Sequence, residues 1–156
     1  MAIMTVNSGQ EFIKKISQLG AKSEAIGKKV VAAGASPIAD EIRKNLEANL
    51  ADPSYAGVGD KGSFAFIKKE STGDLLNSFG ISPALMDDNG NINSKIGFAG
   101  YDRKGVPNAL KARAMESGTS ALRKRPFVRP AVNAKRKKAR QAMEAEFDRQ
   151  VKIYAL

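Results

Sequence analysis

The chain has 156 residues, 42% hydrophobic and 27% charged, which is enough to bury a core without cross-links and close to the soluble globular average. It contains no Cys, His or Trp. That excludes disulfides, thiolate and imidazole metal sites and every Ser–His or Cys–His relay, and it points to binding or assembly. The net charge of +10 is uneven: residues 1–105 carry 13 Lys/Arg and 12 Asp/Glu, whereas residues 106–156 carry 13 and 4, so the last third favours polyanions or acidic protein patches.

In chain order, Met1–Gln10 lacks a basic stretch followed by an apolar core, so no secretory signal is expected. No run of 18 apolar residues occurs, so no membrane span is expected and the protein is placed in a cytoplasm until it joins something larger. Ser8-Gly9-Gln10-Glu11 has capping-box spacing and is followed by Phe12, Ile13, Ile16 and Leu19, which predicts a helix over 9–19 stopped near Gly20. A second amphipathic pattern runs from Lys22 to Leu50, with Ile26, Val30, Val31, Ile38, Ile42, Leu46 and Leu50 mostly at steps of four. Gly34 and Ser36-Pro37 interrupt it. Either the helix kinks there or Ser36 caps a new one, and a kinked long helix is the expected arrangement.

Residues 51–73 change character. Pro53 and four glycines punctuate Tyr55, Phe64, Phe66 and Ile67, which reads as a loop in which Phe64–Ile67 can form a short strand. A loop of this length is expected to be either a surface insertion or an arm that orders against a partner, because its aromatics seek burial. Asn77–Pro83 and Asn91–Ala99 alternate as strands, with Ile92, Ile96 and Phe98 facing one way. Between them Asp87-Asp88-Asn89-Gly90-Asn91 is the strongest hairpin-turn signal in the chain. Val106-Pro107 opens a helix over Asn108–Ser117, closed by Gly118. After a loop at 121–125, Pro126–Pro130 leads into a final helix with Val132, Ala139, Met143, Phe147 and Val151 as its apolar stripe.

Little in the chain resembles a reaction centre. Asp87 and Asp88 read as turn residues rather than a metal pair. The Gly57–Gly62 stretch lacks the order of a phosphate-binding loop. The basic runs Arg123-Lys124-Arg125 and Lys135-Arg136-Lys137-Lys138, with Arg129 and Arg140 nearby, are either solvated, protein-contacting or phosphate-contacting. Four consecutive charges on a helix cannot all face one ligand.

Two stretches together resemble a known family. Thr72-Gly73-Asp74-Leu75-Leu76-Asn77-Ser78-Phe79 is similar to the T-G-x-L-x-x-S-[IF] element of the head–tail joining and tail-completion proteins of long-tailed bacteriophages, the minor tail protein Z-like proteins. Glu116-Ser117-Gly118-Thr119, followed by Pro126-Phe127-Val128-Arg129-Pro130-Ala131, resembles that family's E-[FS]-G-T … P-F-[LV]-R-P-A pattern. Residues 51–71 are a longer insertion than the family pattern carries, and Pro107–Ala114 is rich in Ala and Lys/Arg where the family usually has an aromatic. The resemblance implies an α+β subunit with a long helix packed on an antiparallel sheet. Together with the residue patterns, the expectation is a long kinked N-terminal helix and a C-terminal helix on a small antiparallel sheet, one domain over 1–156 with a flexible loop insertion at 51–71.

The resemblance also implies a virion protein at the head–tail junction, without enzymatic activity, cofactor or metal. Its expected partners are copies of itself in a ring, commonly of six, the neighbouring neck and tail proteins, and the genomic DNA passing the lumen. The isolated subunit can be monomeric. Thr72, Gly73, Leu75, Glu116, Gly118, Thr119, Pro126, Phe127 and Pro130 are its motif and corner residues. Tyr55, Phe64, Phe66, Arg123, Lys124, Arg125 and Arg129 are the candidate interface. Truncating residues 52–70 is expected to leave the fold intact and to block particle completion. The competing expectation is a free-standing basic nucleic-acid-binding protein, resting on the charge of the last third.

Overall fold

The computed structural model describes residues 8–52, 73–120 and 122–155, so Tyr55, Phe64, Phe66, Thr72 and the expected insertion from residue 53 onward lie outside the described residues. The elements run α1 (Ser8–Ala21), α2 (Ser23–Ala51), α3 (Asp74–Asn77), β1 (Phe79–Ile81), β2 (Leu85–Met86), β3 (Ile92–Asn93), β4 (Ile96–Phe98), α4 (Asn108–Ser117) and α5 (Val128–Ala155). This is the α+β arrangement that the family resemblance implies. The first helix passes through Gly20, and the break between α1 and α2 falls at Lys22, whose φ of −104° and ψ of 2° leave the helical region.

α2 is a single helix of 29 residues with Pro37 inside it. An interior proline removes one helical hydrogen bond and costs about 3 kcal/mol, so packing must hold the helix together. α5 supplies it on both sides of the proline. Gly34 lies against Ala139 and Met143, where any Cβ would strike the Met143 side chain. Beyond the proline, Glu41 pairs with Lys135 at 3.2 Å. Lys29 Nζ donates to Gln150 Oε1 at 3.1 Å at one end, and Asn45 Nδ2 donates to the Phe127 carbonyl at 3.2 Å at the other. Numbers rise on α2 as they fall on α5, so the two long helices are antiparallel. Gln150, buried within this contact, also donates to Glu146 at 2.7 Å, and Arg149 grips the same carboxylate with two hydrogen bonds.

The strands form one interrupted hairpin. β1 pairs with β4 as Phe79↔Phe98, Gly80↔Gly97 and Ile81↔Ile96, and β2 pairs with β3 as Leu85↔Asn93 and Met86↔Ile92. The expected strand over 77–83 is shorter than its pattern because Asn77 ends α3 and Pro83 has no amide to donate to the ladder. At the gap Ser82 takes over with its side chain: its Oγ accepts the Lys95 amide at 2.8 Å. The Asn-Gly turn forms where its residues predict it. Asp87 and Gly90 amides donate to Asn91 and Asp87 carbonyls, Gly90 has φ +79°, and Asp87 Oδ1 accepts the Asn89 and Asn91 amides.

The core lies between α2, the β1–β4 part of the hairpin, α4 and the start of α5. Ala39, Ile42 and Leu46 meet Leu75, Phe79, Ala112, Met115, Phe127 and Ala131 there, with Ile96 and Phe98 packed against them. Between β4 and α4, Asp102 closes a tight loop. Its Oδ1 accepts the amides of Lys104 and Val106, its other oxygen meets Lys111, and Gly105 takes φ +76°. The Lys111 hydrogen bond first, then the Val106 amide, lowers the Asp102 carboxyl to about 2 against burial. A depressed carboxylate stabilises the fold above its unfolded pKa of about 4. That contribution is lost as the pH falls through the folded value.

Candidate functional site

The second family-like stretch folds into a corner joining α4 to α5. α4 ends at Ser117, and Gly118 follows with φ +76° and ψ 169°. The positive φ is one that glycine adopts readily, and ψ is extended. Space also demands glycine: a Cβ here would lie 2.9 Å from the Lys124 amide nitrogen and 3.1 Å from the Leu122 carbonyl oxygen. The returning chain passes directly over the glycine. Thr119 and Leu122 exchange backbone hydrogen bonds of 2.8 and 3.3 Å, and Arg125 N donates to the Met115 carbonyl at 2.7 Å. Gly118→Ala is expected to destabilise the protein by about 1–3 kcal/mol, from strain at positive φ and collision with rigid backbone. A denaturant melt reads this as a lower midpoint at unchanged slope.

Glu116 is the centre of the corner. Its Oε2 accepts the amides of Phe127 at 2.7 Å and Val128 at 2.9 Å, and its Oε1 accepts the Arg129 amide at 3.0 Å. α5 starts at Val128, so these amides belong to the helix's unsatisfied first turn. The next residue, Pro130, has no amide to satisfy. One carboxylate and one proline thus leave no orphan donor in that turn, and the negative charge sits at the positive end of the helix dipole. Burial works against the charge on Glu116. The amides of Val128, Arg129 and Phe127, with the Arg129 charge, outweigh it and hold the carboxyl below the usual glutamate value.

Phe127 is fully buried. Its ring stands edge-on to Phe98 at 6.0 Å, and Phe98 in turn tilts against Phe79 at 5.2 Å. Arg43 of α2 covers Phe79 from 5.5 Å and donates to its carbonyl. α2 also grips the corner backbone, with Asn45 on the Phe127 carbonyl and Asn49 on the Arg125 carbonyl at 3.2 Å, and Asp52, just past the end of α2, pairs with the Arg125 guanidinium at 2.5 Å. Asn45, Asn49 and Asp52 escaped the sequence reading. The signal was present in Asn45 and Asn49, a polar pair four apart beside the apolar stripe.

The first family-like stretch meets the second in the core. Gly73, at φ +77°, precedes α3, and Leu75 is buried in one cluster with Met115 and Phe127. Among the candidate interface residues, Arg123, Lys124 and Arg129 are exposed and Arg125 is half-buried. Pro126 and Pro130 are exposed beside them. A shallow cavity of about 410 Å³ lies at the outer side of the corner, lined by Glu116, Lys124, Arg129, Pro130 and Asn133 among others. Among the described residues, no helix is long and apolar enough to cross a membrane.

The described residues thus form an α+β scaffold with a backbone corner locked by hydrogen bonds and with cations on its outer side. The family model of bacteriophage HK97-gp10-like tail components matches residues 10–104, and the chain belongs to that family. The matched region runs from within α1 through β4 with the Gly73–Leu75 element, and it ends before the Glu116 corner. No curated protein and no solved structure matches the chain. Membership makes the protein a structural component associated with the phage virion, which acts with other tail proteins.

Proposed function

We propose that the protein completes the phage tail at the head–tail junction, that copies of it close into a ring, commonly of six, and that the ring docks to its neighbours without catalysing a reaction. On this reading residues 1–156 act as one domain. The observation that carries the reading is the exposure of large apolar side chains on different elements. On the hairpin, Leu85 is 60% exposed, Met86 43% and Ile81 42%. On the loop and helix that follow, Tyr101 is 71% exposed and Leu110 55%. A closed ring of identical subunits needs two unlike faces on each copy, joined head to tail. The hairpin and the Tyr101–Leu110 region supply such a pair, and burying them on assembly is the natural driving force. Lys124, exposed on the corner, is then placed for charge contact with the adjoining ring.

Leu85→Asp with Met86→Asp tests this. Both positions are exposed, so the isolated protein is expected to melt within about 2 °C of wild type, as surface changes usually cost under about 0.5 kcal/mol. Phage carrying the variant are expected to accumulate unjoined heads and tails, with infectious titre down at least about tenfold, since one lost interface anchor costs more than about 1 kcal/mol. Normal joining by this variant, or cryo-electron microscopy of wild-type particles without the protein at the neck, overturns the reading.

A further inference from the structure

The basic run of α5 is divided by the fold. Lys135 turns inward and pairs with Glu41 on α2 at 3.2 Å. Arg136, Lys137, Lys138 and Arg140 are exposed and make no ion pair among the described residues. Arg129, Arg136 and Arg140 are seven and four residues apart, which places them along one flank of the helix, about 10 and 6 Å apart along its axis. Lys137 lies next to this flank, whereas Lys138 points to the other side. No Asp or Glu occurs in α5 before Glu144. Like charges at this spacing weaken a helix by a few tenths of a kcal/mol per pair, about what opposite charges there would add. An outside anion offsets that cost.

We propose that the α5 flank formed by Arg136, Lys137 and Arg140, extended by Arg129, is a contact surface for the phosphate backbone of double-stranded DNA. Another copy of the chain brings a net charge of the same sign, +10, so gathering copies does not cancel the positive field overall. Collecting copies into an assembly only concentrates the positive field. Duplex DNA presents one negative charge per about 1.7 Å of axis, so a row of cations about 6 to 10 Å apart on a rigid helix finds phosphates within reach of each. No aromatic residue stands on α5 between Arg129 and Glu144, so base stacking on single strands has no support there, and contacts to phosphate alone are independent of sequence. α5 is held from behind by α2 and by Glu116, so the row is presented without ordering a new segment. The inference does not rest on the ring: a protein absent from the neck can still bind DNA in this way, and a neck protein can fail to.

The test is fluorescence anisotropy of the full chain with a labelled 24-base-pair duplex of mixed sequence, titrated between 50 and 300 mM NaCl. Three or four phosphate contacts predict a log–log slope near about −3. The triple variant Arg136→Gln, Lys137→Gln, Arg140→Gln is expected to bind at least about tenfold more weakly at 50 mM and to flatten the slope by about 2 to 3. Its melting temperature should match wild type, since all three side chains are exposed. The pair Lys14→Gln, Lys15→Gln, exposed on α1, should leave most of the slope in place. The proposal is overturned if wild type fails to bind at 50 mM or if the triple variant keeps its slope. It also falls if the α1 pair is as damaging per charge, which would mean only diffuse attraction. Poly-glutamate displacing the duplex as well as unlabelled duplex does would assign the flank to an acidic protein surface instead.

Discussion

Phe127→Ala is expected to cost about 3–5 kcal/mol, the usual range for removing a phenylalanine from a packed interior, and to lower the melting temperature by about 6–20 °C for a chain of this size. Three losses combine at this site. The ring is fully buried, so its removal leaves a cavity in the cluster with Leu46, Leu75 and Met115. The edge-on contact with Phe98 disappears, and with it the line of rings linking the hairpin to the corner. The corner backbone stays tied by Glu116 and Asn45 and cannot collapse into the gap. Phe127→Leu, which keeps most of the volume, is expected to cost roughly half as much. Calorimetry checks both, and an alanine variant melting within 2 °C of wild type would show that the corner is not part of the core.

Glu116→Ala is the second large effect. It strands three first-turn amides and removes a charge from the head of α5. About 2–3 kcal/mol is expected, because a charge-assisted hydrogen bond contributes about 1.5–3 kcal/mol and solvent replaces part of what is lost at this half-exposed site. Glu116→Gln retains one acceptor oxygen and loses the charge, so about 1–2 kcal/mol is expected. The two variants differ from wild type in a pH-dependent way. The folded-state pKa of Glu116 is depressed, so its contribution is complete above the unfolded value of about 4.3 and is lost as the pH falls through the folded value. Wild type and Glu116→Gln should therefore converge in stability on acidification. Urea midpoints measured from pH 7 down to pH 3 give the comparison, and a gap that stays constant over that range would mean the carboxylate is not the helix cap.

Much of the architecture was written locally. The helices over 108–117 and from 128, the turn at Asp87–Asn91 and the strand pattern of Ile92, Ile96 and Phe98 follow from spacings of two to four residues and from glycine, proline and asparagine chemistry. Sheet length was harder to read, because alternation continued past Phe79–Ile81 while Pro83 and the end of α3 cut the ladder short. The role of Glu116 was not legible beyond its place in a family-like pattern, since its three amide partners lie 11 to 13 residues away across a turn. The grip of Asn45 on the corner joins positions 82 apart. No local rule reaches that far.

Composition removed thiol and imidazole chemistry, and the order of residues put most of the net positive charge in the last third, because those properties belong to the chain however it folds. Which of those charges stay free was set by folding: α2 lies antiparallel to α5, so Glu41 takes Lys135 and leaves Arg136, Lys137 and Arg140 to solvent. Folding also keeps α2 one helix through Pro37, where a proline's own preference is to end it. In both cases a residue's own tendency amounts to a few kcal/mol at most, and contacts with a helix a hundred positions away outweigh it.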